Sequence, residues 1–184
     1  STGIASDTQI GNGTFLNVAT SGTVSGDIDI HATSVTVEET SDGFEEARIG
    51  NLGSGPVSGN VSVTTSGDVL ISAEGNGAAD IGDYSHPKDE SFNDVQGEGS
   101  GNVTVNAGGN ITLTADGTGS FASIEFGGAT SGNVKVTAGD NVAEDASDGG
   151  AVLIGSGLFF NGSVNVTVTA TDGNITLQTE DADS

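Results

Sequence analysis

Apolar and polar residues alternate one by one in short bursts along this chain, and five of the bursts share a wording. They read Gly26-Asp27-Ile28-Asp29-Ile30, Gly59-Asn60-Val61-Ser62-Val63, Gly101-Asn102-Val103-Thr104-Val105, Gly132-Asn133-Val134-Lys135-Val136 and Gly162-Ser163-Val164-Asn165-Val166. A period of two puts alternate side chains on one face, so each burst predicts a strand with one buried side, opened by turn chemistry. The glycines recur at spacings of 33, 42, 31 and 30 residues, a range that marks solenoids, propellers and arrays.

A second phrase follows each first one: Gly67-Asp68-Val69-Leu70-Ile71, Gly109-Asn110-Ile111-Thr112-Leu113, a degraded Gly139-Asp140-Asn141-Val142, and Gly173-Asn174-Ile175-Thr176-Leu177. The first unit offers Val35-Thr36-Val37 in its place. A third phrase is Gln9-Ile10-Gly11, Arg48-Ile49-Gly50, Asp80-Ile81-Gly82, Ser123-Ile124-Glu125-Phe126-Gly127 and Leu153-Ile154-Gly155. Each unit thus holds three short strands and three turns.

Three strands in about thirty residues cannot bury an apolar face alone, but stacked units can, each strand pairing with its copy about 4.8 Å away. The fold class predicted is all-β, a parallel β-helix solenoid of about five rungs. A propeller blade would need four strands. Val61, Val63, Val103, Val105, Val134, Val136, Val164 and Val166 are expected to point inward, with Ser62, Thr104, Lys135 and Asn165 outward. Asn60, Asn102 and Asn133 then stack as an amide ladder. Thirty-one glycines and two prolines suit many tight turns, and no segment has helical periodicity.

Charge narrows the partners. Twenty-six acidic residues against three basic ones leave a net charge of −23, which repels nucleic acid and anionic bilayers. No stretch is long and apolar enough for membrane insertion. Eighteen of the 26 acids fall in Glu38 to Glu46, Asp80 to Glu98, Asp140 to Asp148 and Glu180 to Asp183, which read as turns and insertions rather than strands. Such oxygen-rich turns make calcium the one candidate ion, with Glu38, Glu39 and Asp42 in one group and Asp140, Glu144, Asp145 and Asp148 in another. Neither spells an EF-hand or a calcium-binding nonapeptide repeat, and a solvated acidic turn is the simpler reading. No other cofactor is expected.

Catalysis is not expected either. Arg48, Lys88 and Lys135 are the only cations, His31 and His86 lie in different units, and there is no cysteine for a nucleophile or a thiolate metal site. Binding-loop candidates are Tyr84, His86, Lys88 and Phe92 in the insertion of residues 83–100, and Phe159 and Phe160 in a turn, because insertions in a solenoid gather on one face. Seven Asn-x-Ser/Thr sequons, at Asn12, Asn60, Asn102, Asn110, Asn161, Asn165 and Asn174, mostly restate the repeat wording. Asn12 and Asn161, in turns, are the better acceptors.

The run Ser100-Gly101-Asn102-Val103-Thr104-Val105-Asn106-Ala107-Gly108-Gly109-Asn110-Ile111-Thr112-Leu113-Thr114-Ala115, with Ala47-Arg48-Ile49-Gly50 and its copies, resembles the repeats of filamentous-haemagglutinin-type adhesins, exoproteins of bacterial two-partner secretion. The resemblance covers about residues 9 to 178. It implies a right-handed β-helix, passage across the outer membrane through a partner barrel, and a role in adhesion or biofilm matrix at the cell surface.

Repeats already under way near Ile10 and no dedicated cap at Ser184 suggest one β-helix domain over 1–184, excerpted from a longer repeat protein. Three functions are carried forward. The first is an extracellular stalk or filament segment of a surface adhesin or biofilm-matrix protein. The second is a self-assembling filament or surface-layer subunit, joined end to end through its sheet edges. The third is a carbohydrate-binding or polysaccharide-degrading module. The expected partners are other copies or adjoining repeats, and cell-surface or matrix polysaccharide.

Overall fold

A computed structural model of the chain describes residues 8–13, 23–41, 43, 45–53, 56–85, 99–127, 131–156 and 163–180, with Tyr84, Ser85 and Gly99 described by their backbone alone. Every regular element among them is a strand. The first rung holds β1 (Thr8–Ile10), β2 (Val24–Ser25), β3 (Ile28–Ala32) and β4 (Val35–Glu39). The second holds β5 (Glu46–Ile49), β6 (Leu52–Gly53), β7 (Val57–Thr65) and β8 (Val69–Glu74). The third is β9 (Ala78–Ser85), β10 (Gly99–Ala107) and β11 (Ile111–Asp116), and the fourth is β12 (Phe121–Gly127), β13 (Ser131–Ala138) and β14 (Val142–Ser147). The fifth is β15 (Ala151–Ser156), β16 (Ser163–Ala170) and β17 (Ile175–Glu180).

The rungs stack into three all-parallel sheets, a parallel β-helix. Sheet I runs β16-β13-β10-β7 and ends on β2 and β3. Sheet II runs β17-β14-β11-β8-β4, and sheet III runs β1-β5-β9-β12-β15, with β6 beside β9. The first phrase builds sheet I, the second sheet II and the third sheet III. Insertion positions 83–85 extend β9 and 99–100 open β10, so the excursion between the strands is shorter than the interrupted wording suggests.

Alternation gives the core. Val61, Val63, Val103, Val105, Val134 and Val136 are fully buried with Ile71, Ile81, Ile111, Leu113 and Ile124, a continuous apolar column down the axis. Ser62 and Thr104 are half-buried on the other face, and Lys135 and Asn165 are exposed. The column fades at the last rung, where Val164 is half-buried and Val166 is 45% exposed.

The fifth phrase pairs two residues away from the register its wording suggests. Asn165 lies on Asn133 and Val166 on Val134, while Val164 meets Gly132. Asn165-Val166-Thr167-Val168 is the true copy of Asn102-Val103-Thr104-Val105, and an even slip keeps the same residues inward.

Two further departures sit at corners. Phe126 belongs to β12 and packs at the corner with sheet I, where a Cβ on Gly101 would stand 3.2 Å from its ring. Gly82 lies so close under the next strand that a Cβ there would overlap the Glu125 carbonyl oxygen. Glycine at this place is a steric demand of the stack, not turn chemistry.

Three ladders of side-chain amides run along the axis of the solenoid. In sheet I the Asn60 Nδ2 donates to Asp27 Oδ1 (3.0 Å), Asn102 to Asn60 (2.9 Å), Asn133 to Asn102 (2.6 Å) and Asn165 to Asn133 (3.1 Å). In sheet II Asn110 donates to Asp68, Asn141 to Asn110, and the Asn174 backbone N–H to Asn141 Oδ1. The third ladder is internal: Asn12 donates to Asn51 Oδ1, and the Asn51 N–H to Asp83 Oδ1 (2.8 Å).

Candidate functional site

The only gathering of buried ionisable chemistry on one sheet face among the described residues lies on sheet III. Ala47, Ile49, Ala79, Ile81, Ala122 and Ile124 face the column, so Arg48, Asp80 and Ser123, at one register position of β5, β9 and β12, face the opposite side. That side is covered too, and all three are buried. Arg48 Nη2 donates to Asp80 Oδ2 at 2.7 Å and to Glu46 Oε1 at 2.8 Å, and Ser123 Oγ donates to Asp80 Oδ1 at 2.6 Å. Both oxygens of Asp80 are thereby satisfied, by one rung on each side.

Glu125 joins them from the position that is glycine in the other four rungs, since it pairs with Gly82 and Gly155. It is buried, and its Oε2 makes no hydrogen bond among the described residues. Burial pushes its carboxyl up to about 8, with the Asp80 charge adding to the rise and Arg48 opposing it. Burial also raises Asp80, against Arg48 and Ser123, and raises Asp83 against its bond from Asn51. Burial thus favours the protonated form of Glu125 beside the Arg48–Asp80 pair.

Two neighbouring carboxyls in unlike surroundings are a pairing that acid–base catalysts use. Here it is sealed: apart from Glu46, no member is more than 4% exposed. What the arrangement does is bind the second, third and fourth rungs with short, charge-assisted bonds shielded from water.

The residues singled out for calcium are dispersed. Glu38 and Glu39 end β4, where Glu38 is exposed and Glu39 is buried, its Oε1 accepting the Ser41 N–H at 2.8 Å. Asp42 lies outside the described residues. Asp140 precedes β14, Glu144 and Asp145 are consecutive within it, and Asp148 follows it. No three His, Cys, Asp or Glu among the described residues stand together as a metal-holding group. The acids are thus not confined to turns, because Glu38, Glu39, Glu46, Asp80, Asp83, Glu125, Glu144 and Asp145 all belong to strands that run into the corners.

Of the binding-loop candidates, Tyr84 is in β9 by its backbone, while His86, Lys88, Phe92, Phe159 and Phe160 lie outside the described residues. Asn12 is no free turn amide, since its Nδ2 donates to Asn51 Oδ1 at 3.0 Å. Reading the sequence missed the Arg48 cluster. Its signal was present in the third phrase, where opposite charges occupy the same place 32 residues apart and Glu125 replaces a recurring glycine.

Comparisons with protein-family models, with curated proteins and with solved structures give no match to this chain.

Proposed function

We propose that this chain is a stiff, non-catalytic spacer, a stalk or filament segment of a bacterial surface adhesin or biofilm-matrix protein of the filamentous-haemagglutinin-like kind its wording resembles. It works outside the cell, joined to adjoining repeats, with cell-surface or matrix polysaccharide as the chemistry it meets. The observation that carries this reading is the unbroken register of β7, β10 and β13, in which whole rungs repeat while the Arg48 cluster on sheet III is sealed from solvent. A part whose units are interchangeable suits reach and stiffness.

Excising residues 101–131 and joining Ser100 to Gly132 tests it, because Ser100 already pairs with Ser131 and the join keeps register. The shortened protein is expected to fold, and cells displaying it to attach as before. Lost attachment with folding intact would place the function in that rung and overturn the spacer reading.

A further inference from the structure

The acids of this chain are spread unevenly over its three sides. From the second rung to the fifth, every strand-borne Asp or Glu among the described residues lies in sheet II or sheet III, and β7, β10, β13 and β16 of sheet I carry none. On β10 the residues facing away from the column are Ser100, Asn102, Thr104 and Asn106. Their register partners on the other three strands are Ser, Thr or Asn throughout, except for Lys135. All of these side chains are exposed or half-buried, so one side of a molecule of net charge −23 presents almost no charge.

The hydrogen-bonding capacity of this face is largely unspent. Asn102 and Asn133 each use one Nδ2 hydrogen and one Oδ1 lone pair within the ladder and keep one of each for an outside group. The Thr104 and Thr137 hydroxyls make no hydrogen bond among the described residues. Hydroxyls and amides both donate and accept, as sugar hydroxyls do, whereas a carboxylate only accepts and an ammonium only donates.

Charge and area decide which partner fits. An anionic polymer is repelled by the whole molecule, and a cationic one is drawn to the acids of sheets II and III instead. A second copy laid face to face is short of contact: four rungs about 4.8 Å apart and four outward places about 7 Å apart give roughly 500 Å², against the roughly 800 Å² that each partner of a stable protein pair buries. An uncharged chain remains. An extended β-linked pyranose polymer advances per sugar by nearly the rung spacing of about 4.8 Å, so successive sugars can meet successive rungs.

We propose that the outer face of sheet I binds an uncharged, extended β-linked glycan, laid along the solenoid axis over the ladder from Asn60 to Asn165 with about one sugar per rung. The proposal rests on the spacer reading for polysaccharide as the partner, but it is measured on the purified chain rather than on cells, so either can fail while the other stands.

Native electrophoresis through gels holding a soluble neutral β-glucan tests it, with a neutral α-linked glucan and a carboxymethylated β-glucan in parallel gels. The parent chain is expected to be slowed by the neutral β-glucan alone. Thr104→Val with Thr137→Val removes two hydroxyls, keeps the β-branched shape, and is expected to raise the dissociation constant at least about fivefold. Thr112→Val with Thr176→Val, the same change on the outer face of sheet II, is expected to leave it unchanged, and urea midpoints confirm that both double variants are folded. No slowing of the parent, equal slowing by either companion polymer, a folded T104V/T137V that binds like the parent, or equal losses in the two double variants would each overturn the proposal. So would a dimer of the parent chain that T104V/T137V dissociates, because the face would then belong to a second copy.

Discussion

The Arg48 guanidinium meets the Asp80 carboxylate at 2.7 Å with the two side chains only 2% and 3% exposed. It is a buried ionic link between the second and third rungs. It also removes Arg48 from the pool of available cations, which is why a role for it cannot be sought at the surface.

Breaking that pair from one side is expected to be severe. Arg48→Met leaves the Asp80 carboxylate buried without its cation, a loss of about 3–5 kcal/mol. The double variant R48M/D80N removes both charges while keeping an acceptor for Ser123, and should recover at least half of the loss. Urea unfolding of the two variants decides it, and a double variant as unstable as R48M would show that the pair is not what stabilises this face.

Glu125 makes stability depend on pH in a set direction. Its folded carboxyl lies at about 8 against an ordinary 4.5, so the folded form holds a proton that the unfolded chain releases between these values. Its contribution is fully present below pH 4.5 and is lost as pH rises toward 8, with a limiting slope of about 1.4 kcal/mol per pH unit. Burial raises Asp80, Asp83 and Glu144 in the same direction, so the difference between proteins isolates the effect. Glu125→Gln is neutral at every pH and should unfold at a midpoint that falls less between pH 5 and 8 than that of the parent chain. Parallel pH profiles for the two would mean that Glu125 is ionised in the folded protein.

Sheets I and II were legible because their strands have one face on the column, so alternation survives in Val103-Thr104-Val105 and Ile111-Thr112-Leu113. Sheet III was legible only as Ile-Gly. With both faces buried, consecutive residues Ala122 to Gly127 are all covered and the period of two no longer sorts apolar from polar. There Arg48, Asp80 and Glu125 read as surface charges until the register brings them together. Likewise Gly162 invited a register that the stack does not adopt, since Asn165 lies on Asn133 and Val166, Val168 and Ala170 lie on Val134, Val136 and Ala138.

Glu144 gives the last prediction. It pairs with Leu113 on one side and Leu177 on the other, so a carboxylate occupies a place in the sheet II column where both neighbours are leucine. Burial raises its carboxyl, the sign of a charge partly withdrawn from water without a compensating partner. Glu144→Leu should complete the column and raise stability by roughly 1–2 kcal/mol in urea at pH 7, the gain from burying much of a leucine side chain. The same measurement with calcium added weighs the ion considered for Asp140 to Asp148. If Glu144 is only a misplaced charge, calcium shifts the parent and E144L midpoints equally. If calcium stabilises the parent and not E144L, and the substitution lowers stability when the ion is present, Glu144 is a ligand and the column was interrupted to bind it.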